Sequence, residues 1–243
     1  TIHDTHDYGL INVSTVIAKS SNVGASKIAL SLPPQRLWTL FHRVGFGSLS
    51  GADFPGEAAG SLPDYHHWYP IDHATFSFGY GLSVSTLQLA RAYAVLAAGG
   101  VLKPVSFVPV DHEPEGTRAM SAKVARQVMA MLEGVVSDEG TGDLARVPGY
   151  HVAGKTGTAR KSVSGGYAED SYVSLFAGMI PATRPRLVMV VVINDPRSSQ
   201  YYGGMVAAPV FSRVMSGAVR LLDIAPDDLP SLNGQKVAKA EVL

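Results

Sequence analysis

The sequence predicts an α+β fold in which an antiparallel sheet packs between helices. Apolar residues recur at helical spacing over much of residues 13–136, and the pattern changes to that of consecutive strands over residues 151–194. Helices followed by a strand meander and a closing helix are typical of this class. Hydrophobic residues make up 46% of the 243 residues and charged residues 16%, which allows a sizeable core and argues against disorder.

The first predicted helices are short and surround a polar run. Apolar-periodic segments at 13–18 and 23–30 flank Lys19-Ser20-Ser21-Asn22. Pro33-Pro34 begins a third helix, because proline is tolerated in the first helical turn. Residues 46–82 are rich in Gly, Pro, His and aromatic residues and predict a long irregular segment, of the kind that is usually functional or partner-facing.

Two longer helices are predicted at 85–98 and 121–136. Ser85 and Gln88 have the spacing of a capping box, which favours a helix start at Ser85. The apolar faces predicted for the two helices are Leu87, Ala90, Ala94 and Ala97 for the first, and Val124, Val128, Met131, Leu132 and Val135 for the second.

The last part of the chain predicts a strand meander closed by a helix. Residues 187–193 are apolar without alternation, so the last strand of the meander is predicted to be buried on both faces. Ser164-Gly165-Gly166 is predicted to turn the first strand into the second. The predicted strands and closing helix span 151–161, 172–180, 186–194 and 206–222.

Composition excludes several function classes. The formal net charge is 0 and no basic stripe is present, so no nucleic-acid partner is expected. The absence of cysteine excludes disulfides, thiolate metal sites and a cysteine nucleophile. No H-E-x-x-H or G-x-S-x-G motif is present, and Val84 stands where the third glycine of a dinucleotide fingerprint starting at Gly79 would be. No metal and no cofactor are therefore expected.

Residues 155–158 carry the strongest chemical signal in the chain. Lys155-Thr156-Gly157-Thr158 combines an ammonium charge, hydroxyl donors and a glycine that lets a ligand approach the backbone. Such a group at an exposed strand edge suits a bound carboxylate. Ser20-Ser21-Asn22 lies 135 residues before Lys155, a spacing that suits a site assembled from a helical part and a sheet edge. A second S-x-N motif, Ser231-Leu232-Asn233, is interpreted as a chance match.

The chain resembles the transpeptidase domain of a class B penicillin-binding protein, and more narrowly the division-specific, septal type. K-T-G is the third element of the signature of such enzymes, after S-x-x-K and S-x-N. The matching phrases follow family order over residues 1 to about 230: they are 19–24 (KSSNVG), 79–84 (GYGLSV), 154–159 (GKTGTA), 176–178 (FAG), 201–204 (YYGG) and 208–211 (APVF).

This resemblance implies a penicillin-binding-protein or serine β-lactamase-like fold that cross-links D-Ala-D-Ala stem peptides of peptidoglycan and is acylated by β-lactams. It implies a place on the periplasmic face of the bacterial inner membrane, with a septal glycosyltransferase and other divisome membrane proteins as partners. Residues 1–222 would be the C-terminal portion of a single transpeptidase domain, and residues 223–243 a strap or tail. Because the chain starts without Met, we expect it to be a piece of a longer protein.

The resemblance also implies residue roles. Ser20 would relay a proton, Asn22 would bind the substrate amide, and Lys155 would raise the local potential and polarise Ser20. Thr156 and Thr158 would bind the substrate or β-lactam carboxylate, and the Thr158 N–H would form half of an oxyanion hole. The substrate-facing set is completed by Gly157, Arg160, Tyr172, Tyr201 and Tyr202.

One departure from the family pattern is large. No lysine in the chain has a serine three residues before it, so the S-x-x-K nucleophile is absent and is expected upstream of residue 1. Two alternatives stay open: a serine hydrolase of the same fold, either a D,D-carboxypeptidase or a β-lactamase, and a non-catalytic unit that binds peptidoglycan or the divisome. The lifetime of the acyl-enzyme separates the hydrolase from the transpeptidase.

Overall fold

The computed structural model describes residues 1–163, 166–197 and 200–228. Within these ranges it contains eight α-helices, five strands and three single-turn 3₁₀ helices. The helices and strands are, in chain order, α1 (Val13–Lys19), α2 (Asn22–Leu30), α3 (Pro34–Arg43), α4 (Pro70–Phe76), α5 (Thr86–Ala97), β1 (Val101–Leu102), β2 (Thr117–Arg118), α6 (Ala122–Glu133), β3 (Ala153–Val163), β4 (Gly166–Ile180), β5 (Leu187–Asn194), α7 (Gly203–Val206) and α8 (Ala208–Leu221).

The predicted antiparallel sheet packed between helices is confirmed. Strands β3, β4 and β5 are neighbours in that order, and both pairings are antiparallel. The register places Gly157 of β3 opposite Leu175 of β4, which in turn lies opposite Val192 of β5. Strands β1 and β2 form a separate two-stranded ribbon.

The side chains of β4 point alternately to the two faces of the sheet, and helices pack against both faces. Phe176 and Ile180 pack with Phe211 of α8 in one cluster of buried residues, and the rings of Phe176 and Phe211 meet edge to face with centroids 4.9 Å apart. Met179 packs with Met129 of α6 in a second cluster. The central strand β4 therefore packs in both core clusters and pairs with β3, which forms one edge of the sheet.

The prediction that the third strand of the meander is buried on both faces is wrong. β5 is an outer strand of the described sheet, and its residues are half-buried or exposed, with Val192 39% exposed. An unbroken apolar run does not distinguish a central strand from an outer one, because that depends on strand order. The second strand is also longer than predicted, since β4 begins at Gly166.

The buried faces of the two long helices match the predicted stripes only in part. α5 buries Gln88 and Val95, and the predicted alanine stripe lines an open groove of about 480 Å³ beside β5. In α6 the predicted Leu132 is buried, as is Val135 just after the helix, but Ala125 and Met129 are buried too and Val124 is 44% exposed. Both helices exist as predicted, but tertiary packing leaves part of each predicted apolar stripe outside the core.

Gln88 organises part of the segment that was predicted to be irregular. The predicted capping box is present, since the Ser85 hydroxyl accepts from the Gln88 N–H and the Gln88 side chain accepts from the Ser85 N–H. The fully buried Gln88 amide also donates to the carbonyls of Ser48 and Ala59, at 2.7 and 2.8 Å. The segment is ordered further by α4, which the composition did not reveal.

The chain after α8 turns back onto the sheet. Ile224 is buried in the cluster around Phe211, and the Tyr150 hydroxyl donates to its carbonyl at 2.5 Å. Residues 229–243, including the second S-x-N motif, lie outside the described residues, as do Ser164 and Gly165 of the predicted turn. None of the helices in the described ranges combines the length and apolar character that crossing a bilayer requires.

Candidate active site

Ser20 lies in the tight junction between α1 and α2. Its backbone is left-handed, with φ 58° and ψ 44°, and the Ser21 N–H closes the end of α1 by donating to the Val16 carbonyl at 3.0 Å. Helix α2 starts at once, because the Ser21 hydroxyl accepts from the Gly24 N–H at 2.8 Å. The adjacent serines therefore differ: Ser21 is buried as a cap, and Ser20 is exposed.

Lys155 of β3 reaches across to this junction. Its Nζ donates to the Ser20 hydroxyl oxygen at 2.8 Å and to the carbonyl of Thr156 at 3.1 Å. Burial disfavours the charged ammonium and lowers the pKa of Lys155 to about 8, from an ordinary value of 10.5. The structure thus brings together the two motifs that the sequence separates by 135 residues.

The outer edge of β3 exposes backbone donors. The Arg160 N–H donates to the Tyr80 hydroxyl at 3.2 Å, so it points away from β4. In an antiparallel strand the N–H groups of residues two apart point to the same edge, and the register is regular between Thr158 and Arg160. The Thr158 N–H therefore points to the edge of β3 that has no strand partner in the described sheet, where it is free to donate to a ligand.

Thr156 and Thr158 lie on the same face of β3, and each hydroxyl already has one partner. The Thr156 and Thr141 hydroxyl oxygens are 2.7 Å apart, and the Gly203 N–H donates to the Thr158 hydroxyl at 3.0 Å. Because Thr158 accepts there, its own proton can be directed at a ligand. Lys155 alternates with these threonines and lies on the other face of the strand.

Three glycines allow close packing behind the site. A Cβ at Gly157 would lie 2.9 Å from the Leu175 side chain, so a larger residue here would displace that side chain of β4. A Cβ at Gly203 would lie 2.4 Å from the Gly157 carbonyl oxygen, and one at Gly204 would lie 2.1 Å from the Thr141 carbonyl oxygen. Helix α7 therefore starts directly against β3.

The three tyrosines of the predicted substrate-facing set form one stack. The Tyr172 and Tyr201 rings are stacked with centroids 4.2 Å apart, and those of Tyr201 and Tyr202 with centroids 4.6 Å apart. The hydrogen bond that Tyr201 donates to Tyr202 raises the pKa of Tyr201, and the positive charge of Arg160 opposes this shift. Arg160 is exposed and lies opposite Tyr172 in the strand register.

Asn22 makes no side-chain hydrogen bond with the other predicted site residues in the described ranges. It is the half-buried first residue of α2, and its side chain makes no hydrogen bond within the part of the chain that the structure describes. It lies two residues after Ser20, at the same helix junction. Its amide is therefore free to bind a ligand that enters beside Ser20.

Sequence reasoning missed three contact residues of this site. Tyr80 meets the β3 edge, and its ring packs edge to face on Tyr167 with centroids 5.1 Å apart. Thr141 holds Thr156, and Lys19 donates to the Glu139 carbonyl at 2.6 Å. Lys19 and Tyr80 stand in two of the phrases that carry the family resemblance, 19–24 and 79–84, but nothing in the sequence indicated their contacts, and Thr141 had no signal.

The penicillin-binding protein transpeptidase domain model matches residues 1–216. The chain is 46% identical over 229 residues to a Pseudomonas aeruginosa protein named "Probable peptidoglycan D,D-transpeptidase PbpC", and 42% identical over 228 residues to the peptidoglycan D,D-transpeptidase FtsI of Escherichia coli K12. Each alignment covers 94% of this chain, but only 40% and 39% of the respective relative.

The fold and the sequence agree with a solved structure of the same kind. The apo transpeptidase domain of Burkholderia pseudomallei penicillin-binding protein 3 superposes with a TM-score of 0.89 at 44% identity, covering 94% of this chain and 70% of that one. The chain thus spans about two fifths of the length of the two curated relatives named above. It belongs to the penicillin-binding protein transpeptidase family.

Proposed function

We propose that this chain is the C-terminal portion of a septal peptidoglycan D,D-transpeptidase that β-lactams acylate. The observation that carries the proposal is the 2.8 Å hydrogen bond between Lys155 and Ser20, which joins the K-T-G and S-x-N motifs at one strand edge. Residues 1–222 are then the C-terminal part of one transpeptidase domain. The nucleophilic serine and its lysine belong to an S-x-x-K motif upstream of residue 1.

In this proposal the upstream serine attacks the carbonyl that links the two D-Ala residues of a stem peptide. The C–N bond breaks, the departing D-Ala nitrogen takes a proton, and an acyl-enzyme forms. Because Lys155 donates to the Ser20 oxygen, the Ser20 proton can point to the departing nitrogen and be relayed to it. Asn22 binds the substrate amide. An amine from a neighbouring stem peptide then takes the acyl group.

The carboxylate of the terminal D-Ala, or of a β-lactam, binds at β3. Thr156 and Thr158 donate to it, and the hydrogen bonds with Thr141 and the Gly203 N–H hold the two hydroxyls in place. The Lys155 ammonium adds a positive electrostatic potential, which favours binding of the carboxylate. The Thr158 N–H stabilises the oxyanion of the tetrahedral intermediate.

The tyrosine stack and Arg160 form the outer wall of the cleft. Stacked rings offer an apolar surface for the substrate at little entropic cost, because the rings restrain one another. Arg160 is exposed at the same strand end and supplies a charge for an anionic substrate group.

The cellular setting follows from the same proposal. The complete protein acts on the periplasmic face of the inner membrane, held by an anchor outside this chain. Its partners are a septal glycosyltransferase and other divisome membrane proteins, and it serves as a target for β-lactam antibiotics.

Lys155→Ala in the complete protein tests the role of the Lys155–Ser20 pair. We expect the rate of acylation by a fluorescent penicillin to fall about 10²-fold or more, because the hydroxyl relay and the carboxylate both lose the ammonium. The matched control is Lys161→Ala on the same strand, whose lysine lies 3.5 Å from Asp195 instead of contacting Ser20.

An unchanged acylation rate in Lys155→Ala would remove this residue from the site. The lifetime of the wild-type adduct is measured in the same experiment. An adduct that lasts minutes to hours supports the transpeptidase, whereas rapid turnover of the penicillin would favour the hydrolase alternative. A protein that forms no adduct but retains septal partners in a pull-down would favour the non-catalytic alternative.

A further inference from the structure

Lys19 makes a second contact between the helical part and the sheet part of the site. It is the last residue of α1 and directly precedes Ser20. Its Nζ donates to the backbone carbonyl of Glu139, 120 residues away, at 2.6 Å. A charge-assisted hydrogen bond of this length is among the stronger kinds in proteins.

The loop that accepts this hydrogen bond, residues 137–142, has a fixed shape. The Gly140 N–H donates to the Ser137 carbonyl at 3.0 Å, and the Gly142 N–H donates to the Val135 carbonyl at 2.9 Å. A Cβ at Gly140 would lie only 2.0 Å from the Val135 carbonyl oxygen, so the loop packs tightly on the end of α6 and its extension. The Glu139 carbonyl thus lies in a loop that its own backbone hydrogen bonds hold against the end of α6.

The same loop also holds β3. Thr141 lies two residues after Glu139, and its hydroxyl oxygen is 2.7 Å from that of Thr156. One short loop thus contacts the S-x-N junction through Lys19 and the K-T-G strand through Thr141.

A lysine in the last turn of a helix is often explained by the helix dipole alone. Here the ammonium contacts a carbonyl of another element, and no hydrogen bond from it to a carbonyl of α1 exists among the described residues. Ser20 is an exposed residue with left-handed backbone, a conformation that persists only where the surroundings enforce it. A cross-link at the adjacent residue supplies such a restraint.

We propose that Lys19 is a positioning residue of the transpeptidase site, whose bond to the 137–142 loop holds Ser20 at hydrogen-bonding distance from Lys155. The proposal rests on the proposed function for its kinetic consequence. Its structural consequence, restraint of the α1–α2 junction, does not depend on catalysis.

The test compares Lys19→Met, Lys19→Arg and Lys27→Met in the complete protein. Lys27 is an exposed lysine of α2 whose side chain has no partner in the described ranges, so it controls for loss of a positive charge. Stopped-flow mixing with a fluorescent penicillin separates the dissociation constant from the acylation rate constant. Hydrogen exchange reports the protection of the Ser20 and Ser21 amides, which close α1.

We expect Lys19→Met to lower the acylation rate constant about 10- to 100-fold with little change in the dissociation constant, because misplacement of a relay group costs rate rather than affinity. Lys19→Arg should recover most of the rate, and Lys27→Met should behave as the wild type does. The alkaline limb of the pH–rate profile should move to higher pH in Lys19→Met, because a loosened junction hydrates Lys155. The Ser20 and Ser21 amides should exchange faster.

Two results would overturn the proposal. One is wild-type acylation and unchanged amide exchange in Lys19→Met. The other is a rate loss that matches the loss of folded protein, with the pH profile unmoved. If the wild-type protein forms no adduct, the proposed function fails, and the exchange of the Ser20 and Ser21 amides alone decides whether Lys19 holds the junction.

Discussion

Two adjacent serines at the α1–α2 junction have different surroundings and should respond differently to mutation. Ser20 has φ 58°, a value that glycine adopts without strain, and Ser21 caps α2. Ser20→Gly should therefore leave the free energy of unfolding within about 1 kcal/mol of the wild type. It should still slow penicillin acylation about 10²-fold or more, because the proposed proton relay through the Ser20 hydroxyl is lost.

Ser21→Ala is the matched comparison. Loss of this cap should lower the free energy of unfolding by about 0.5–2 kcal/mol, measured by denaturant titration, with a much smaller effect on acylation of the folded protein. Acylation of Ser20→Gly within a few-fold of the wild type would show that Ser20 is only a helix-ending residue.

The depressed pKa of Lys155, about 8, predicts a specific pH dependence. Acylation should decline as pH rises through about 8, because the Lys155 ammonium, which the proposed function uses to polarise Ser20 and attract the carboxylate, is neutralised. The rate of penicillin acylation between pH 7 and about 10 is the measurement. A rate that does not change over this interval would contradict the proposal that the charge of Lys155 contributes to acylation.

The same group makes folding stability depend on pH. The unfolded chain binds more protons than the folded one between pH 8 and 10.5, so the stability of the wild type relative to Lys155→Met should rise across that interval. The gain should be on the order of 1 to 3 kcal/mol. A lysine that gains an ion pair on folding would have the opposite effect, because its stabilising contribution is lost as pH rises.

At the scale of elements, the sequence predicted the helices and the three-strand meander because their signals are local. The Ser85 capping box, the prolines that begin α3 and the change of period after α6 all act within a few residues. The exposure of β5 could not be predicted in this way, because it depends on which strand lies beside it.

Gln88 joins one helix start to a loop segment, so its loss should affect both. Gln88→Leu removes half of the capping box and leaves the Ser48 and Ala59 carbonyls without their donor. We expect a loss of about 2–4 kcal/mol in the free energy of unfolding. Gln127→Leu, an exposed position on α6, should change it by less than about 0.5 kcal/mol. If Gln88→Leu changed the free energy of unfolding as little as Gln127→Leu does, the hydrogen bonds of Gln88 would not stabilise the fold.

At the scale of the whole molecule, the site is made by contacts between segments far apart in the chain. The order of the motifs predicted that Ser20 and Lys155 belong to one site, although no local pattern states their distance. Lys19, Thr141 and Tyr80 were missed for the same reason, because their contacts with the 137–142 loop and β3 exist only after folding. A lysine or threonine bonded to a distant residue leaves no periodic or capping signature.

The central claim is that this chain supplies two of the three motifs of a serine transpeptidase. The most direct test is to treat the complete protein with penicillin and locate the adduct by intact-protein and peptide mass spectrometry. The account predicts one penicillin per molecule, bound to a serine upstream of residue 1, and no adduct on the 243-residue chain alone. An adduct on a serine within the chain, or no adduct on the complete protein, would contradict it.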